Sequence, residues 1–365
     1  MIRKLLCRTI SNLVLAAAST GIAAGAFAQA SDASIEWRSA NDAVGQFRRG
    51  HADVLKWEEA NRHSGEKPAE TSVPLPLMTA DAAVRLAWQP HLDLARTLAV
   101  LPAYIVDRVA TGRWSDIEPA WRRRADDLQE LLEVTAAARK GWVKAVAAGQ
   151  AVKHRENALA AAESAADLAA RMARIGNWSR LQEARVQTAL NAARTDLRRA
   201  EYAHVSAQAE LLRTLRLSGV HASVALPDTL PELPVATVSE VILRQRLEAV
   251  MAELPRAERL RTSAGATVAL AAYQAGHEIA LRTGEDLKLQ DFVVEETVLR
   301  YNGMLASVWD VLAEARNRSQ AAVDAVDALR DFWIADIDLQ HVLLGGVPER
   351  FISLGGGKES VAAAH

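Results

Sequence analysis

The most constraining feature of this 365-residue chain is the placement of its prolines. They lie at residues 68, 74, 76, 90, 102 and 119, at 227, 231, 234 and 255, and at 348, so the windows 120–226 and 256–347 contain none. Proline ends or kinks a helix, so these two windows can hold very long uninterrupted helices. Half of the residues are apolar and only 5% are aromatic, a balance that favours long, closely packed helices over a thick core. The predicted fold class is therefore all-α.

Each window has one weak point near its middle. Residues 174–179 contain Gly176 and Asn177, and residues 300–307 contain Asn302 and Gly303. Both weak points end in a serine, Ser179 or Ser307, that can cap the next helix. Each window is thus predicted to form two antiparallel helices joined by a tight turn, an αα-hairpin.

The helix after each turn carries a stripe of apolar and small residues. Their spacing alternates between four and three, which keeps one stripe facing a partner helix and favours coiled-coil packing. The first stripe is Val186, Leu190, Ala193, Leu197, Ala200, His204, Ala207 and Leu211, and the second is Val308, Leu312, Ala315, Ser319, Ala322, Val326, Leu329 and Trp333. The helix before the first turn, near 122–174, would be about 80 Å long at 1.5 Å per residue.

The two hairpins are an internal repeat, because Ser179 and Ser307 occupy matching places. We expect a first repeat at 78–219, a stiff proline-rich linker at 220–235, and a second repeat at 236–346. An extension at 29–77 is expected to be loosely ordered. A C-terminal tail follows at 347–365, and its Gly-rich part from Gly355 is expected to be loosely ordered as well.

The N-terminus has the pattern of a secretory signal. A basic start and an apolar run of small residues precede Ala26-Phe27-Ala28, which predicts a signal peptide at 1–28 and an exported protein. Cys7, the only cysteine, would leave with it, so no disulfide or thiolate metal site is expected.

Four stretches carry a resemblance to a known family: the segment from Met78 to Leu92, the segment from Gly176 to Arg185, the proline-rich linker, and the segment from Arg300 to Leu312. They resemble the TolC-like outer-membrane-factor family of efflux proteins. The last of these, followed by Leu329-Arg330-Asp331-Phe332-Trp333, is most similar to a branch found in heavy-metal, often copper, resistance systems.

The resemblance implies a homotrimer with a hollow helical barrel that exports metal ions or small toxic molecules. Its hairpin tips would dock on a periplasmic adaptor (membrane fusion) protein that is fed by an inner-membrane pump. The tip residues implied are Gly176, Asn177, Trp178, Ser179, Arg180, Leu181, Tyr301, Asn302, Gly303, Met304 and Leu305. Trp309, which flanks the second turn, is a further candidate for docking.

Asp310 matches an acidic position at which family members narrow the tunnel mouth and bind cations. The second acidic residue of that pattern, three places on, is replaced by Ala313, and Glu314 would face differently on the helix. A solvated carboxylate near a helix N-terminus is the alternative interpretation of Asp310.

The chain departs from the family in the part that enters the outer membrane. A membrane-crossing strand needs about 9–11 residues of alternating pattern, and family members place such strands near 98–120 and 250–270. The first segment is interrupted by Pro102 and the second is charged and helical in character. We therefore expect the β-barrel strands to be missing or very reduced.

No other pattern predicts chemistry. His204 lies on the first stripe without a second ligand in a suitable register, so it is interpreted as structural, and no metal site or cofactor is predicted. No phosphate loop, HExxH or GxSxG motif is present, so an enzyme is not expected. No basic block indicates nucleic acid.

Two hypotheses therefore remain. The first is the exit duct of a tripartite efflux system at the outer membrane. The second is a soluble periplasmic helical protein that binds an adaptor or its own kind without channel activity.

Overall fold

A computed structural model describes residues 74–121 and 128–354. The predicted signal peptide, the extension up to residue 73 and the tail from residue 355 lie outside the described residues. The helices are α1 (Ala80–Trp88), α2 (Leu92–Val100), α3 (Ala103–Ala110), α4 (Leu128–Arg174), α5 (Arg180–Thr214), α6 (Glu240–Glu253), α7 (Arg256–Asn302) and α8 (Val308–Val342). Two strands, β1 (Leu75–Pro76) and β2 (Val224–Ala225), and a 3-10 turn at Trp114–Asp116 complete the described elements. The all-α prediction is confirmed.

The architecture is two αα-hairpins with matching dimensions. The ascending helices α4 and α7 have 47 residues each, and the descending helices α5 and α8 have 35 each. At 1.5 Å per residue, a 47-residue helix is about 70 Å long. Corresponding helices begin 128 residues apart, so the hairpins repeat in register.

The predicted stripes face partner helices. Every residue of both stripes is buried or partly buried, with Leu190, Leu211, Ser319, Ala322 and Val326 fully so. Many of these side chains are small, which allows the helices to approach closely along the distal halves of the hairpins. The four-three spacing therefore predicted the packing faces correctly.

The segment from Met78 begins with a capped helix. Thr79 caps α1, with its side chain accepting from the Ala82 amide at 3.2 Å. The helix ends at Trp88, two residues before Pro90, and α2 and α3 follow as separate short helices. The segment thus forms a collar of short helices.

The core lies at the base of the hairpins, where this collar packs on α4. Buried tryptophans connect its layers through hydrogen bonds. Trp88 Nε1 donates to Thr135 Oγ1 at 3.0 Å, and Trp142 Nε1 donates to the Leu77 carbonyl at 2.8 Å. A second cluster around Phe332 and Tyr273 joins α7 to α8.

The proline-rich linker is non-helical and is fastened along its length. Its start pairs as a parallel strand with β1, with Leu75 opposite Val224. Trp333 Nε1 then donates to the Pro231 carbonyl at 3.0 Å, and His277 Nε2 lies 2.8 Å from the Pro234 carbonyl. These contacts fix the connection between the two hairpins at the base.

The two segments in which membrane strands were expected to be missing or very reduced contain helices. Residues 98–120 contain the end of α2, all of α3 and the 3-10 turn, and residues 250–270 contain the end of α6 and the start of α7. Across 74–121 and 128–354, no helix combines the length and apolar character that a membrane span requires.

Candidate docking site at the hairpin tips

The two turns have the same backbone design. In the first, the Asn177 amide donates to the Met172 carbonyl at 3.0 Å and the Gly176 amide donates to the Ala173 carbonyl at 3.2 Å. In the second, the Leu305 amide donates to the Arg300 carbonyl and the Met304 amide to the Tyr301 carbonyl, at 2.8 and 3.0 Å. This is the Schellman motif that commonly ends a helix at a left-handed residue.

The left-handed residue is Gly176 in the first turn and Met304 in the second. Their φ angles are +79° and +59°, and they are related by the 128-residue repeat. Gly303, which the sequence suggested as the turn glycine, has an ordinary φ of −81°. A left-handed methionine is costly, by roughly 1–2 kcal/mol, yet its side chain is 94% exposed. The fold therefore tolerates strain to present an apolar side chain at the end of the hairpin.

Both descending helices begin with a capping box. Ser179 accepts from the Gln182 amide and Gln182 Oε1 accepts from the Ser179 amide, at 3.3 and 2.9 Å. In the second hairpin, Asp310 replaces Gln182, and its Oδ2 accepts from the amide and the hydroxyl of Ser307, each at 2.8 Å. These bonds, the backbone one first, lower the pKa of Asp310. Asp310 thus has a structural role equivalent to that of Gln182.

Glu314 does not join Asp310. Its Oε2 accepts from Gln290 Nε2 at 2.6 Å and from Asn317 Nδ2 at 3.2 Å, so the carboxylate is held within the second hairpin. Ala313 faces the groove between the hairpins. Among residues 303–313, Asp310 is therefore the only carboxylate at the second turn.

A tryptophan stack joins the two tips. The rings of Trp178 and Trp309 have centroids 4.2 Å apart and planes 23° apart. Trp178 precedes the cap of α5, whereas Trp309 lies in the first turn of α8, so the pair does not follow the internal repeat. The stack holds the two turns together as one surface, and it leaves both rings only partly buried.

The surface outside this stack is apolar and basic. Several large apolar side chains are exposed on it: Ile175, Leu181, Leu299, Tyr301, Met304 and Leu305. Arg174, Arg180 and Arg300 lie among them and form no ion pair within the described part of the chain. Exposed apolar groups clustered in this way mark interaction sites. We call this set, with Trp178 and Trp309, the tip surface.

The docking residues predicted from the sequence include Trp178, Arg180, Leu181, Tyr301, Met304 and Leu305 of this surface, and their docking role stays a prediction. Arg174 and Arg300 were not among them, nor were Ile175 and Leu299. Ile175 and Leu299 are apolar and adjoin the turns, and neither belongs to the three-four stripe that packs inside its hairpin. The sequence therefore contained a signal that these two side chains are exposed at the tips. Asn177, Asn302 and Ser179 are exposed, as expected of turn residues.

A groove of about 200 Å³ lies beneath the tip surface, between α4, α5 and α8. Its apolar lining consists of Ala162, Ala165, Val186, Ala189, Trp309, Leu312 and Ala313. The remaining lining residues are Arg185 and Arg316, both exposed. We call this the arginine groove.

His204 lies far from the tips, in a hollow of about 350 Å³ between α4, α5 and the linker. Its Nε2 is 3.1 Å from Gln208 Nε2, its Nδ1 has no hydrogen-bond partner among the described residues, and burial lowers its pKa. Gly149 makes room for the ring, since a Cβ there would be 3.1 Å from His204 Cε1. No group of three or more His, Cys, Asp or Glu in the described ranges could hold a metal ion.

No family model and no curated protein matches this chain. Among solved structures, it is similar to CusC, in crystal structures that concern conformational changes accompanying folding and transmembrane channel formation. The similarity covers 66% of this chain and 74% of that chain, at 11% sequence identity and a TM-score of 0.45.

Proposed function

We propose that this chain is a TolC-like outer-membrane factor, the exit component of a tripartite system that exports metal ions or small toxic molecules. It docks through the tip surface on a periplasmic adaptor protein coupled to an inner-membrane pump. The observation that carries the proposal is the joined pair of turns, which presents exposed apolar side chains, one of them on a strained backbone. A buried core would not require this arrangement, but a docking end would.

The sequence motifs at the turns support the same proposal. The segments from Gly176 to Arg185 and from Arg300 to Leu312, which resemble the family, form the caps and turns of this surface. A duplicated hairpin with matched helix lengths is also what the resemblance implies. The homotrimer and the heavy-metal branch belong to the proposal on the same basis.

The test uses a deletion of the gene in the native host, complemented with variants. We expect the deletion to increase sensitivity to copper or silver salts, or to cationic dyes, by at least four-fold in inhibitory concentration. The double variant Met304→Ser/Leu305→Ser should fail to restore resistance because it removes the exposed apolar contacts. Leu260→Ser, which changes an equally exposed leucine at the other end of α7, should restore it. Unchanged sensitivity of the deletion strain to all these compounds would overturn the efflux role.

Asp310 is proposed to bind cations at the tunnel mouth in addition to capping α8. Asp310→Asn keeps an oxygen that can accept the Ser307 hydrogen bonds but removes the charge, whereas Asp310→Ala removes both. If the charge matters for export, both variants should reduce metal resistance. If only the cap matters, Asp310→Asn should behave as the wild type.

An exported helical interaction protein without channel activity is the second candidate. The specific observation that favours it is the helical structure of 98–120 and 250–270, where the family resemblance would place membrane strands. Fractionation of the host decides between the two candidates. Carbonate-resistant recovery with outer membranes supports the efflux duct, and recovery in the periplasmic extract supports the interaction protein.

A further inference from the structure

The arginine groove is unusual in its charge. Its two charged lining residues, Arg185 and Arg316, have the same sign, and no carboxylate lines the groove. Neither arginine forms an ion pair with any residue in 74–121 or 128–354, although most arginines of the hairpins have a carboxylate three or four residues away. Two guanidinium groups beside one small groove therefore lack a counter-charge.

Nearby carboxylates are engaged elsewhere. Glu314 accepts hydrogen bonds from Gln290 and Asn317, and Asp310 accepts those of the Ser307 cap. Glu163, next to the lining residue Ala162, lies 3.7 Å from Arg194 on α5. The groove is thus not neutralised from within the described chain.

The remaining lining is apolar and small. Four alanines leave the space open, and Trp309, one of the two rings of the stack that joins the tips, supplies an aromatic wall. At about 200 Å³ the groove is smaller than the 300–1,000 Å³ typical of sites for drug-sized ligands. It has room for one or two side chains. Its position adjoining the tip surface places it within the reach of a protein docked there.

We propose that the arginine groove receives, from the protein that docks on the tips, a segment in which an apolar side chain stands beside a carboxylate. The apolar side chain fills the space over the alanines and Trp309, and the carboxylate binds Arg185 and Arg316. Arginine suits this role because its planar group binds a carboxylate through two parallel hydrogen bonds. The inference rests on the proposed docking function and adds to it the chemistry of the partner.

The test combines complementation with site-specific crosslinking in the native host. Arg185→Glu/Arg316→Glu should reduce resistance at least ten-fold more than Arg185→Lys/Arg316→Lys, which keeps the charge. Arg259→Glu, an exposed arginine at the base of α7, serves as the control and should have no effect. Thermal melting of each purified variant separates a loss of docking from a loss of fold.

The crosslinking arm uses a photoreactive phenylalanine at Ala189, within the groove. The crosslinked partner peptide should contain Asp or Glu next to an apolar residue, and changing that carboxylate to Lys should restore the Arg185→Glu/Arg316→Glu variant. A crosslinked peptide without a carboxylate would overturn the inference. So would capture of the same site by phosphatidylglycerol vesicles with no protein partner.

The outcomes separate this inference from the docking function itself. If Met304→Ser/Leu305→Ser abolishes resistance while Arg185→Glu/Arg316→Glu retains it, docking stands and the acidic partner segment is refuted. If both double variants retain full resistance, the docking function fails as well.

Discussion

Met304 adopts a left-handed backbone conformation that a methionine ordinarily disfavours. Its counterpart in the first hairpin is Gly176, which adopts the same left-handed conformation without steric cost and has no heavy atom near its missing Cβ. The space around the turn does not therefore require a side chain. A methionine at this position adds backbone strain and also adds exposed apolar surface. Of these two effects, only the exposed apolar surface can contribute to docking.

We predict that Met304→Gly stabilises the protein by about 0.5–1 kcal/mol while reducing export. Relief of the left-handed strain outweighs the extra freedom that glycine gives the unfolded chain. The measurements are urea unfolding of the purified protein and resistance of the complemented deletion strain. Gly176→Met is the reciprocal control and should destabilise by a similar amount. Stabilisation with full export would show that the methionine side chain is not used.

Asp336 is a second residue in an unfavourable environment, because its surroundings disfavour the ionised form of its side chain. Burial, opposed by Arg139 and by a hydrogen bond with Gln340, raises its pKa from 3.8 to about 6. The charged form is therefore disfavoured in the folded state. Between pH 4 and 6 the folded protein binds more protons than the unfolded chain, so the stability that this group contributes falls as pH rises through this range.

Asp336→Asn should accordingly stabilise the protein at pH 7.5 and have little effect at pH 4. The full shift corresponds to about 3 kcal/mol, but part of the residue reaches solvent, so we expect about 1–2 kcal/mol. Urea unfolding at several pH values measures the difference between the two proteins. A difference that does not change between pH 4 and 7.5 would show that Asp336 keeps an ordinary pKa.

At the scale of elements, the Trp178–Trp309 stack is the contact that turns two hairpin ends into one surface. The two rings are stacked, with centroids 4.2 Å apart and planes 23° apart, and stacked aromatic pairs contribute about 0.5–1.5 kcal/mol beyond the area they bury. Along the distal halves of the hairpins, the side chains that face one another are mostly small. The stack is thus the main aromatic contact between α8 and the first turn.

Trp178→Ala should loosen this end without unfolding the base. We expect hydrogen exchange of the amides near Val308–Leu312 to accelerate about five- to ten-fold, since the lost contact is worth roughly 1 kcal/mol. Exchange in the core near Leu131 and Trp142 should be unchanged. Trp178→Phe keeps a ring and provides the control. Equal exchange in the alanine and phenylalanine variants would mean that the stack does not hold the tips.

The sequence predicted those elements whose causes are local. Prolines located the long helices, Ser179 and Ser307 located the starts of α5 and α8, and the three-four spacing located the packed faces from Val186 to Leu211 and from Val308 to Trp333. The division of 78–110 into three short helices was missed, because only Pro90 and Pro102 indicate it and their effect depends on the collar packing against α4. The Trp178 stack and the arginine groove join residues more than 120 positions apart, which no local pattern reveals.

At the scale of the whole molecule, the face of α7 that points away from α8 bears on how copies of the chain assemble. Its inward residues pack on α8, whereas Leu281, Leu289 and Phe292 are exposed on the other side. At 100° per residue these three positions fall within an arc of about 80°, so they form one stripe. A stripe of this kind on a long helix favours packing against another helix.

We predict that this stripe is the contact between copies in the proposed homotrimer. Light scattering of the purified exported protein should give about three times the chain mass, and Phe292→Glu should give one chain mass, because a buried unpaired carboxylate costs several kcal/mol at each contact. Tyr202→Glu, at an even more exposed aromatic position on α5, is the control for added charge alone. A trimer that survives Phe292→Glu would place the contact on another face. A wild-type protein that is monomeric would remove the closed duct from the proposed function and leave the tip surface to act on its own.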